Sequence, residues 1–102
     1  MLDGFFLLYS CRVKIPNQAI KSKLASQNIV DVKEEDLVYF TNLTHLDISD
    51  NHIMLSQLLN LTSLEELDAQ YNNLDQIQLN EGCFPKLSTL KLSYNKIPFT
   101  HI

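Results

Sequence analysis

The side chains in this sequence that could do chemistry are few and poorly grouped. His45 and His52 stand seven residues apart, and His101 lies near the far end; that spacing offers no pair of metal ligands. Asp47 and Asp50 supply two carboxylates, short of the roughly six to eight oxygens a calcium ion takes. Cys11 and Cys83 are isolated from each other. They make a poor disulfide framework and read as reduced, packed thiols. Glu34-Glu35-Asp36 reads as a solvated turn or a helix start rather than an acid cluster. Gly4 and Gly82 are single glycines, so there is no phosphate-cradling loop, and no nucleophile stands beside a base. These observations point to a protein that is not an enzyme and uses no cofactor or metal. Asn42-Leu43-Thr44 and Asn60-Leu61-Thr62 match the N-glycosylation pattern, which keeps an extracellular reading open.

If the chain acts by binding, its elements must present a surface, and composition narrows which one. The chain has 102 residues, 12 acids and 8 bases, a net charge of −4, and is 45% hydrophobic and 20% charged. That is one small globular domain. No apolar run approaches the roughly 20 residues of a membrane span, so no membrane is expected. Residues 1–23 hold four bases and one acid, 24–81 eleven acids and one base, and 82–102 three bases. An acidic middle argues against nucleic acid, which calls for a basic face. The run Phe5–Tyr9 is five residues long and follows Asp3 with no preceding base, unlike a secretory signal. It reads as an edge strand or cap within residues 1–23, with Val13–Ile15 completing a strand or hairpin. A cytoplasmic or other intracellular setting follows as the expectation.

Leucine is over-represented, with 18 copies alongside nine asparagines, and both recur in register. Leu43-Thr-His-Leu46-Asp-Ile48-Ser-Asp-Asn51-His-Ile53 aligns with Leu64-Glu-Glu-Leu67-Asp-Ala69-Gln-Tyr-Asn72-Asn-Leu74. Both align with Leu87-Ser-Thr-Leu90-Lys-Leu92-Ser-Tyr-Asn95-Lys-Ile97. A fainter copy precedes them, in which Leu24 matches Ile48, Gln27 matches Asn51 and Ile29 matches Ile53. A rival register would put Asn28 on the asparagine ladder; the first is preferred because it keeps Leu24 and Val32 inside. Phe40-Thr-Asn-Leu43 echoes Phe84-Pro-Lys-Leu87.

The pattern L-x-x-L-x-L-x-x-N-x-L at this period resembles the leucine-rich repeat, most closely its short intracellular class of about 22 residues. The resemblance implies an α/β solenoid of about three to four repeats. Parallel strands would line the concave face, with short helical, 3₁₀ or irregular turns on the convex side. The divisions are 24–42 (degenerate), 43–63, 64–86 and 87–102 (incomplete). Leu46, Ile48, Leu67, Ala69, Leu90 and Leu92 should point inward, because strand side chains alternate between faces. Leu55, Leu58 and Leu61, then Ile77, Leu79 and Phe84, should line the return paths. Asn51, Asn72 and Asn95 should satisfy buried backbone groups where the chain turns. An unfinished final repeat leaves three readings of the open end: a piece of a longer repeat protein, a cap supplied by another chain, or closure by the last residues.

Polar strand positions would then form the binding face: His45, Asp47, Asp50, Glu66, Asp68, Gln70, Tyr71, Lys91 and Tyr94. The expected occupant is a protein partner with some basic character, as suits an acidic face carrying two tyrosines. Such repeats resemble phosphatase-regulatory, cytoskeletal and ciliary scaffolds, which suggests a scaffold or regulatory subunit; the alternative is a cell-surface recognition fragment.

Overall fold

Three residues are too few to hold a strand in place unless neighbouring turns of chain repeat it. In the computed structural model, which describes residues 1–74 and 82–96, the repeat provides this. Strands β1 (Lys21–Lys23), β2 (His45–Asp47), β3 (Glu66–Asp68) and β4 (Thr89–Lys91) form one parallel sheet in chain order. Ser22, Leu46, Leu67 and Leu90 lie side by side on successive rungs. The backbone bonds also repeat. The amides of Thr44 and His45 donate to the Ile20 carbonyl, those of Glu65 and Glu66 to Thr44, and those of Ser88 and Thr89 to Glu65.

The core is the inward column of each rung. Leu43, Leu46 and Ile48 are buried, as are Leu64, Leu67 and Ala69. Ala69 takes the place of a larger residue and is fully enclosed. The return paths contribute Leu37, Phe40, Leu55, Leu58, Leu61 and Phe84. Leu55–Leu58 is a 3₁₀ turn with Leu55 and Leu58 buried, as the three-residue leucine spacing requires. Phe40 and Phe84, the two echoing aromatics, are both buried, and each accepts a backbone bond from the leucine three residues on. Glu34–Leu37 forms a single-turn helix, α2 as numbered from the chain start, with its three acids in the first turn where the helix dipole favours them. Ile77, Leu79, Ile97 and His101 lie outside the described residues.

The N-terminal segment corrects the sequence reading. Phe5–Tyr9 is not an edge strand. It lies within helix α1 (Gly4–Cys11), and Val13–Ile15 is not strand either. A five-residue apolar run does not distinguish strand from helix; local bonds decide it. Asp3 caps the helix by accepting the Phe6 amide at 2.9 Å, and Asp36 accepts the Gly4 amide at 2.9 Å from the neighbouring turn. Leu7 is buried, while Phe5 and Tyr9, one turn apart, face solvent. Residues Met1–Asp3 run in first, and Leu2 bridges Val32 through bonds to Asp31 and Lys33.

The first rung also begins earlier than residue 24, because its strand is Lys21-Ser22-Lys23. Ser22 occupies the inward position that leucine takes on later rungs and is only 2% exposed. Its hydroxyl meets that of Ser10 from α1 at 2.7 Å, and Ser10 in turn donates to the Leu7 carbonyl. A buried hydroxyl with a partner is tolerated where an unpaired one is not. From Leu24 onward the rung follows the preferred register, with Leu24 and Ile29 buried.

Replacing Leu67 by Ala should cost about 2–5 kcal/mol through the cavity left between rungs, measured by urea denaturation. Asp3→Ala should cost about 1 kcal/mol by uncapping α1; equal melting temperatures for Asp3→Ala and the wild type would contradict the cap.

Candidate functional site

Each ladder asparagine sits at the end of a rung, where the chain turns inward and leaves backbone groups without sheet partners. Asn51 accepts the Ile29 amide at 2.8 Å and the Gln27 amide at 3.2 Å, and donates to Leu24 at 2.8 Å and to Ile48 at 3.0 Å. Asn72 accepts from Ile53 at 2.9 Å and donates to Ile48 and Gln70 at 2.9 and 3.1 Å. Asn95 accepts from Asn72 and Leu74 and donates to Ala69 and Leu92, all between 2.9 and 3.0 Å. Each amide thus sews its own rung to the one before. The first rung has Gln27 at this place, exposed, its side chain donating only to Ala25. No buried side-chain nitrogen or oxygen among the described residues lacks a partner.

With the inner side of the sheet committed to leucine and asparagine, its outer side is open. Two columns of side chains cross it. One runs Lys21, His45, Glu66, Thr89, and the other Lys23, Asp47, Asp68, Lys91. Together with the strand backbones they line a groove of about 290 Å³ spanning all four strands. The His45 Nε2 lies 3.5 Å from a Glu66 carboxylate oxygen, and the His45 Nδ1 lies 2.8 Å from the Thr44 hydroxyl. Asp47 and Asp68 do a local job as well: each accepts the amide two residues on, from Ser49 at 2.9 Å and from Gln70 at 3.1 Å. Those turns end the strands. Gln70 also donates its side-chain amide to Asp68.

The structure brings His45, Asp47, Glu66, Asp68 and Lys91 together on this groove. Asp50, Tyr71 and Tyr94 belong to a separate column just past the strands, with Ser26 as its first member. All four have left-handed backbones, with φ between 55° and 60°, a conformation that costs non-glycine residues roughly 1–2 kcal/mol each. Repeated at one place on successive rungs, it stacks the two tyrosine rings at 4.4 Å and 4°. Such a stack contributes about 0.5–1.5 kcal/mol beyond area burial. The Ser26 hydroxyl donates to Asp50 at 2.7 Å. The Tyr71 phenol is raised above its ordinary 10.0, first by the partial desolvation of its ring, then by Tyr94 and Asp50.

Sequence reasoning missed Lys21 and Lys23. A serine between two lysines gives no apolar signal, and only the pairing of Ser22 with Leu46 puts both lysines on the face. The face is therefore acidic at its centre and basic at both ends.

The comparisons bear on what such a surface belongs to. A family model for the leucine-rich repeat matches residues 42–62. Residues 42–62 are a leucine-rich repeat. The matched repeat contains β2, Asn51 and the 3₁₀ turn, and the other rungs reproduce its register. No solved structure matches the chain at a significant level. Leucine-rich repeats are in general non-catalytic modules for binding other proteins. Among the described residues of this repeat protein, no group of three or more His, Cys, Asp or Glu could hold a metal ion, and no helix is long and apolar enough to cross a membrane.

Asn72→Ala should destabilise by about 1–3 kcal/mol, since it orphans buried backbone groups on two rungs, and Asn72→Asp should not rescue it because both donors are lost. A denaturation midpoint equal to wild type would contradict the ladder. The raised Tyr71 phenol means the unfolded chain ionises first. Stability should therefore hold below pH 10.0 and decline as pH rises through the folded value, and Tyr71→Phe should flatten that decline in alkaline thermal melts.

Proposed function

We propose that this protein is a non-catalytic scaffold or regulatory subunit that binds a partner polypeptide across its concave sheet. The observation that carries the reading is the groove, which crosses every strand and is lined by charged and polar side chains. Rigid backbone on all four rungs presents those side chains, and the inner-face ladder holds their spacing. The stacked Tyr71 and Tyr94, exposed at the strand ends, add apolar area with hydroxyl handles of the kind that anchors interfaces. An intracellular setting and the short intracellular repeat class fit the two glycosylation-like sites. The Asn42 side-chain amide donates to the Asn17 carbonyl at 2.8 Å and that of Asn60 to Glu34 at 2.9 Å. Both asparagines thus act as pins between successive turns.

Affinity capture from cell extract tests this, with wild type compared against Asp47→Lys/Asp68→Lys and against Tyr71→Ala/Tyr94→Ala. Partners held by wild type should be lost from the first variant and weakened by the second, at unchanged circular dichroism. Recovery of the same partners in equal amount by all three proteins would remove the concave face from the reading.

A further inference from the structure

The charge order across the groove is more specific than an acidic face. In register, the outward column runs Lys23, Asp47, Asp68, Lys91: basic, acidic, acidic, basic. Backbone bonds hold the two aspartates in place. Among the described residues neither aspartate forms an ion pair. Like charges on facing strand positions repel, so Asp47 and Asp68 gain most from cations set over them. Building on the reading of this face as a binding surface, we propose that it selects a partner α-helix lying along the solenoid axis. That helix carries two central basic side chains, flanked one turn away on each side by acidic ones.

Spacing decides for a helix. Parallel strands lie about 4.8 Å apart, so the four charges span about 14 Å. Helix positions i, i+3, i+7 and i+10 rise by about 15 Å in all and stay within about 1 Å of every rung. Same-side residues of an extended segment are about 6.7 Å apart and drift about 6 Å out of step by the fourth rung. A second copy of this chain does not fit, because in-register apposition in either direction puts lysine over lysine and aspartate over aspartate. A uniformly basic segment meets repulsion from Lys23 and Lys91, so the terminal lysines act against the commonest ligand of an acidic face.

Fluorescence anisotropy with stapled helical peptides tests the proposal. They differ only at those four positions, which read Glu-Lys-Lys-Glu, Lys-Glu-Glu-Lys or all lysine; a proline-interrupted copy of the first represents the extended form. Wild type should prefer the first by about tenfold or more at low salt, with the preference shrinking as salt screens it. The quadruple variant Lys23→Asp/Asp47→Lys/Asp68→Lys/Lys91→Asp should reverse the preference. If that variant does not fold, Lys23→Ala/Lys91→Ala should abolish discrimination against the all-lysine helix. Equal binding of the peptides, tighter binding of the all-lysine or extended one, or no binding by any helix overturns the helix pattern while leaving the capture experiment to judge the face itself. Pattern-selective binding that no variant alters places the site elsewhere and overturns both.

Discussion

The hydrogen-bonding demand met by three ladder asparagines, Asn51 and Asn72 buried and Asn95 half-buried, governs this structure. A solenoid turns its chain inward once per rung, and each turn strands backbone donors and acceptors away from both sheet and water. Asn51, Asn72 and Asn95 meet that demand with an oxygen that takes amides from the rung before and a nitrogen that gives to carbonyls on both rungs. The bonds reach backward, so each rung is completed by its successor. Gln27 suffices on the first rung because no earlier rung depends on it.

That constraint divides the side chains of each short strand. Inward positions are held by packing and accept few substitutions; Ser22 is accepted because Ser10 meets its hydroxyl. Outward positions are released from packing and are free to carry charge. The turn just beyond them fixes a left-handed backbone on every rung, which places Tyr71 and Tyr94 in a stack. One repeated geometry thus yields an apolar core, a charged groove and an aromatic edge.

The N-terminal end shows how a solenoid is closed. Helix α1 stands against β1 and contributes Leu7 to the core, while Ser10 reaches Ser22 and the Cys11 thiol donates to the Lys21 carbonyl at 3.3 Å. The helix is tied to the first return path by Asp36, an acid whose place in a charged run hides this role in the sequence. On the fourth rung Leu87, Leu90 and Leu92 are only half-buried, where their counterparts on the inner rungs are covered on both sides.

Sequence alone determined the solenoid. The recurrence of leucine and asparagine specified the rungs at β2, β3 and β4, the inward set, the ladder and the 3₁₀ return through Leu55 and Leu58. It also placed His45, Asp47, Glu66, Asp68 and Lys91 on the outward side of the strands, because strand alternation follows directly from position. Tertiary structure decided what periodicity does not encode. Phe5–Tyr9 became helix because Asp3 and a distant Asp36 satisfy its first amides. Lys21-Ser22-Lys23 became a strand because β2 pairs with it and Ser10 makes its buried hydroxyl acceptable. That single pairing adds two lysines to the face and turns an acidic surface into one that is acidic at its centre and basic at both ends. A repeat reports contacts made at a fixed sequence interval; a cap and the rung beneath it are joined by contacts that occur once, and these leave no period to read.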